Sequence, residues 1–359
     1  MKKSLLFIIP LLMLSILAGG CTGRRVITSG WPGVTVTEDV AYVASGPHVY
    51  AVNMNSGTLK WRFPAETQRD VTFYAPPTVL DEDQLIIAGY DDTLHSVNPA
   101  NGKENWSYTA PTDRLISAPL VTEEGIFFTS ADHYLYGVDH QGNELWAPFA
   151  TEEPIWASPV TYPGCECVYI ASMDQRIYAV GIDDGSQLWK TEALGGPMVS
   201  KPALSEEGTL YVSTFANEIL AIDAQTQAVS WRFETEDWAW ASPVIAGDLI
   251  LGSDLSGNFY AINRESGQQE WMINPGGKIV AAPLVKDDLV YFGTDQGSLV
   301  VSNREGVIQR NQEVTGKIYS SPAGSESGLV LVAPTDHDQM LLAFDENGAR
   351  VWDFTPSDE

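Results

Sequence analysis

The feature that most constrains this chain is a strand–turn–strand frame copied along its length. Its clearest instance is LYGVDHQGNELWAPF, residues 135–149. Leu135, Tyr136 and Val138 form a short β-run. Asp139, Gln141, Gly142 and Asn143 are turn formers, and Gly142 is free to take a positive φ. Trp146 follows that glycine by four residues. The same frame ends at Trp61, Trp106, Trp189, Trp231, Trp271 and Trp352. An eighth copy, LVVSNREGVIQR, keeps Gly306 but carries Arg310 where the tryptophan belongs. Copies spaced by roughly 40 residues describe stacked units that cannot bury their faces alone.

Each unit has a fixed grammar. A short strand opens after a small-residue–proline pair, as at Ser117-Ala118-Pro119, Ala157-Ser158-Pro159 and Ala241-Ser242-Pro243. Proline is tolerated at a strand's first residue, where no ladder donor is required. A tight turn, an apolar β-run, a polar turn and the tryptophan-bearing hairpin follow. That makes four antiparallel strands per unit, and no stretch keeps a helical period. Eight such sheets predict an all-β, eight-bladed β-propeller, whose radial closure removes most open strand edges. A parallel β-helix is the structural rival, and the hairpin turns oppose it. Two ways of closing the ring stay open. Either the first and last units are each complete, or residues 24–30 add an edge strand.

Residues 1–20 read as a targeting segment. Lys2 and Lys3 precede an apolar run from Leu5 to Leu17 that is short for a membrane span. Small residues then lead directly into Cys21, the pattern of a bacterial lipoprotein signal with the lipid on Cys21. The competing reading is ordinary secretion with cleavage nearby. Residues 21–30 form the lipidated tether, and residues 31–359 the propeller. The expected location is outside the cytoplasm, lipid-anchored to a bacterial membrane on its periplasmic or cell-surface side.

The net charge of −27, from 47 acidic and 20 basic residues, repels phosphate backbones and anionic headgroups. Nucleic acid is therefore excluded as a partner class. A basic partner, a salty habitat or a merely solvated acidic surface all fit. Beyond Cys21 the only cysteines are Cys165 and Cys167, in a PGCEC loop. They are a local disulfide or free thiols, with no nearby histidine to complete a metal site.

The run AVNxxSGxxxW, with its variants AINRESGQQEW and VDHQGNELW, resembles the pyrroloquinoline-quinone-type propeller repeat across essentially the whole mature chain. The resemblance implies that Trp61, Trp106, Trp146, Trp189, Trp231, Trp271 and Trp352 dock between adjacent blades. The family's quinoprotein dehydrogenases hold a quinone and calcium over the propeller axis, beside a disulfide between adjacent cysteines. This chain has no such pair and none of the long insertions that roof the site, so neither quinone nor calcium is expected. The chain is more similar to the lipid-anchored BamB-type branch. That likeness implies a non-catalytic binding or assembly scaffold with protein partners in the envelope, a monomer within a larger complex. The alternatives are a degenerate quinoprotein dehydrogenase and a surface sensor or carbohydrate binder.

Two rings of residues are candidate sites. Three positions before each proline lie Tyr74, Ile116, Trp156, Val199, Trp240, Val280 and Tyr319, where the chain returns to its innermost strand. Aromatics alternate with aliphatics. Tyr74, Trp156, Trp240 and Tyr319, helped by Trp238, are thus expected to form a fourfold collar at a channel mouth that takes a ligand or apolar side chain. Alternating inter-blade packing is the competing reading. The loops between second and third strands carry Asp91, Asp92, Asp132, Asp174, Asp254, Asp295 and Asp336. These are Asx turns or, less simply, a carboxylate ring for calcium or a basic partner. His48, His95, His133, His140 and His337 have no metal-ligand spacing, and no nucleophile elbow or phosphate loop appears. No catalytic constellation and no metal site are expected.

Overall fold

The computed structural model describes residues 31–357. Cys21, the targeting segment and the tether lie outside the described residues. The described chain contains no helix and is built from eight antiparallel blade sheets in sequence, with one further two-stranded pair, Lys317–Ile318 with Pro334–Thr335. Seven have four strands, ordered as in the chain; the first runs Gly33–Val36, Val40–Ser45, His48–Asn53, Leu59–Phe63. The fourth has three strands, and its innermost position is reduced to one bridge between Val160 and Tyr169. The propeller expected from the repeats is therefore the fold.

Burial follows strand position. Second and third strands are buried along their centres, as in Ile126–Thr129 and Ile177–Gly181, because neighbouring blades cover both of their faces. Fourth strands at the rim alternate, as in Val229–Glu234. Apolar packing accordingly divides into eight clusters, one at each blade junction. The third blade departs from the expected hairpin. Its outer strand survives as a bridge at Glu144 and a pair at Phe149–Ala150, so Trp146 stands on a bend. Pro148 supplies no ladder donor there.

The tryptophans span the junctions. The Nε1–H of Trp61 donates to the carbonyl of Pro99 at 2.8 Å, that of Trp146 to Ile182 at 3.0 Å, and that of Trp271 to Arg304 at 2.7 Å. Trp106 and Trp231 reach His140 and Arg264 in the same way. Each acceptor lies in the next blade's glycine turn. The ring plane rests where that glycine lacks a side chain. A Cβ on Gly102, at φ 70°, would meet Trp61 at 2.7 Å.

The same device closes the ring. Trp352 in the last blade donates to the Met54 carbonyl in the first at 2.8 Å, over Gly57, and one apolar cluster joins the two blades. Among the described residues, first and last blades each supply four strands of their own and meet by packing without a shared strand; an edge strand from residues 24–30 lies outside the described residues. In the seventh blade Arg310 takes the tryptophan's place. Its guanidinium lies over Gly348 and donates twice to the Glu346 carbonyl at 3.3 Å. A flat cation thus fills the slot of a flat indole.

His95 adds a polar cluster within the second blade, beside its aromatic seam with the first. It packs edge-on against Phe63 and Phe73, with Nδ1 at 2.7 Å from Glu104 and Nε2 at 3.2 Å from Asp91. Burial opposes its charge, but hydrogen bonds to the two carboxylates and their charges outweigh it, so its pKa is raised above the ordinary 6.5. Its contribution is then fully present below pH 6.5 and lost as pH rises through the folded value. Denaturant unfolding of wild type and His95→Gln from pH 6 to 9 should show this. Wild type loses stability relative to the variant across that window; parallel pH curves would contradict the assignment.

Candidate functional site

The innermost strands and their leading residues enclose a central channel of about 980 Å³. The connections between blades bond to the loops that join second to third strands, as in Leu115 N–H to Gly89 O and Leu255 N–H to Trp238 O. Both loop sets therefore share one face. Tyr74, Trp156, Trp240 and Tyr319 all line the channel there, as do Ile116, Val199 and Val280.

The aromatics are not evenly distributed. Trp31, just ahead of the first strand, wedges between Trp240 at 5.3 Å and Tyr319 at 5.8 Å. Phe215 stacks on Trp240 at 5.0 Å and on Trp238 at 4.8 Å. Tyr319, Trp31, Trp240, Phe215 and Trp238 thus make one continuous arc. Trp238 is half exposed and lies outside the channel wall, at the arc's outer end. Tyr74 is buried against Tyr90 at 5.0 Å. Trp156 keeps an indole Nε1 that is buried without a hydrogen-bond partner.

Trp31 and Phe215 escape the repeat frame because neither occupies a collar position in its unit. Lys201 escapes for another reason. It is the one charged residue at this place, in Ser200-Lys201-Pro202 where the third, fourth, sixth, seventh and eighth units carry alanine or serine. That irregularity was the available signal. Lys201 is exposed in area, yet burial lowers its pKa. Both hold for an amine standing in a channel, open to solutes but flanked by protein.

The loop aspartates are occupied. The Asp132 carboxylate accepts from the Tyr136 hydroxyl at 2.7 Å and from Thr112 N–H at 2.8 Å. Asp174 accepts from Tyr178 and from Glu152 N–H, and Asp254 from Tyr260 and Glu236 N–H. Each clasp ties a blade's third strand to the preceding connection. Burial, then the bonded carboxylate, pushes the Tyr136 phenol far up, and Tyr260 up to about 12. Asp295 holds Lys278 N–H, Asp91 faces His95, and Asp336 pairs with Lys317. Asp92 carries no such clasp and sits at a positive φ. His48 contacts the Pro64 carbonyl and Thr67, and His140 the Thr122 carbonyl. His133 stands beside the Glu152 carbonyl, and His337 accepts from Gln339 N–H. Among the described residues no group of three or more His, Cys, Asp or Glu is disposed to hold a metal ion.

Cys165 and Cys167 are joined in a disulfide on the loop leading to the Cys167–Ala171 strand, outside the channel wall. Among the described residues the channel wall carries no Asp or Glu.

The family model of the outer membrane protein assembly factor BamB matches residues 45–172 and 173–276. This chain belongs to that family. BamB of Moranella endobia is 24% identical over 298 residues, covering 78% of this chain and 74% of its own length. BamB of Yersinia pestis is 27% identical over 265 residues, covering 59% and 66%. The crystal structure of BamB from Moraxella catarrhalis superposes with a TM-score of 0.69 at 17% identity, over 88% of this chain and 93% of that one. The repeat is shared more widely. A β-alanine-activating enzyme of Drosophila melanogaster is 26% identical over 273 residues, but that match spans only 27% of the enzyme.

Proposed function

We propose that this protein is a cell-envelope scaffold for outer-membrane protein assembly, held to the membrane by lipid on Cys21. Membership of the BamB family carries this reading. The architecture suits it. Eight apolar junctions, seven of them wedged by an indole or guanidinium, give a ring with two broad faces, and its rim strands offer edges that a partner's strand can extend. Rim side chains such as Leu188, Met272 and Val351 are exposed beside those edges. Asp132, Asp174 and Asp254 on the loop face are engaged in local hydrogen bonds.

The test is crosslinking of the lipidated protein in its native envelope, followed by purification. Recovery of the barrel-insertion protein is expected. Recovery of only peptidoglycan, glycans or unrelated surface proteins would contradict the assembly role.

A further inference from the structure

The channel wall contains two charged residues, Arg114 and Lys201, and both are basic. That is the reverse of the chain as a whole, with its 47 acidic and 20 basic residues. Arg114 is compensated: it pairs with Asp113 at 3.3 Å and lies over the Tyr90 ring. Lys201 has no ion pair or hydrogen bond among the described residues. An ammonium that is open to solutes at the channel wall and has no counter-charge favours an anion beside it. The same wall carries the indoles of Trp156 and Trp240. A volume of about 980 Å³ accommodates a drug-sized molecule.

We propose that the channel binds an organic carboxylate with a flat apolar body, its carboxylate on the Lys201 ammonium and its body against Trp156 and Trp240. Among the described residues the wall carries no carboxylate to compete for Lys201, and a neutral or cationic analogue of the same shape gains nothing from it. The lowered pKa of Lys201 has the matching cause, burial without a counter-charge. A bound carboxylate favours the ammonium, so binding takes up protons at alkaline pH. The proposal is independent of the assembly role, and either can fail alone.

The test uses 2-naphthoate and its neutral isostere 2-naphthamide, titrated into the full chain by calorimetry with tryptophan fluorescence alongside. Naphthoate should bind at least about tenfold more tightly than naphthamide, a discrimination of about 1.4 kcal/mol. Lys201→Met should abolish the difference, and Lys201→Arg should keep most of it. Naphthoate affinity should fall as pH rises toward 10.5, while naphthamide affinity stays flat. A short peptide ending in an aromatic residue with a free carboxylate is the second arm. Its competition with naphthoate, absent for the C-terminal amide, assigns the site to a chain terminus; no competition assigns it to a free organic acid. Equal affinity for acid and amide, or full naphthoate binding by a folded Lys201→Met protein, overturns the proposal.

Discussion

Replacing Trp352 with alanine is expected to cost about 3–5 kcal/mol, the range for deleting a buried aromatic side chain. The indole is 8% exposed, packs over Gly57 and donates to the Met54 carbonyl across 298 residues of sequence. At other junctions the chain itself connects the two blades, so loosened packing leaves them tethered. At this one no strand is shared among the described residues, and the first and last blades meet through Trp352, Phe354 and the apolar cluster around Val43 and Leu331. Loss of the indole both opens a cavity and orphans the Met54 carbonyl. Denaturant unfolding of wild type, Trp352→Ala and Trp61→Ala distinguishes these contributions. Trp352→Ala should be the more damaging, with early loss of protection in the first and last blades by hydrogen exchange. Equal losses for the two variants would mean that closure carries no special weight.

The second large effect concerns one position in two blades. Gly185 sits at φ 67°, and a Cβ there would meet the Trp146 ring at 2.6 Å. Gln227 occupies the corresponding place in the fifth blade at φ 61°. Its counterpart by repeat position is Trp189, the one repeat tryptophan that donates to no neighbouring turn among the described residues. Gly185→Gln should therefore cost about 2–4 kcal/mol. Left-handed backbone contributes about 1–2 kcal/mol, and displacing Trp146 from its slot contributes most of the rest. Gln227→Gly should change stability by less than about 1 kcal/mol, because relief of the left-handed cost is offset by a more flexible unfolded chain. Thermal or denaturant unfolding reads both. Comparable magnitudes for the two exchanges would show that glycine matters here for φ alone, without the indole contact.

The repeat made most of this architecture legible. Hairpin turns at a fixed distance from Trp146 and its counterparts give strand count, blade count and antiparallel pairing, because turn chemistry and apolar runs are local properties. The Asp–Tyr clasps were half legible. Asx turns follow from Asp132 or Asp174 alone, but the hydroxyl of a tyrosine four residues on and the amide of the preceding connection join only in three dimensions. Ring closure was not legible, since the residues preceding the first strand could have been read as an added edge strand. The channel was legible as a set of positions but not as an environment. Tyr74, Trp156, Trp240 and Tyr319 share a place in the repeat. Trp31 and Phe215 reach the same rings from outside it, and they turn the expected fourfold collar into an arc. Lys201 stood in plain view as a charged residue among small ones, and its meaning depended on the absence of any acid around it.

The assembly role is tested most directly in cells that lack this gene, by the abundance of heat-modifiable, folded outer-membrane β-barrels. The account predicts a fall on deletion, recovery with the wild-type chain, and poor recovery with Cys21→Ala expressed at the same level. Unchanged folded-barrel levels after deletion, in cells confirmed to lack the protein, would contradict it.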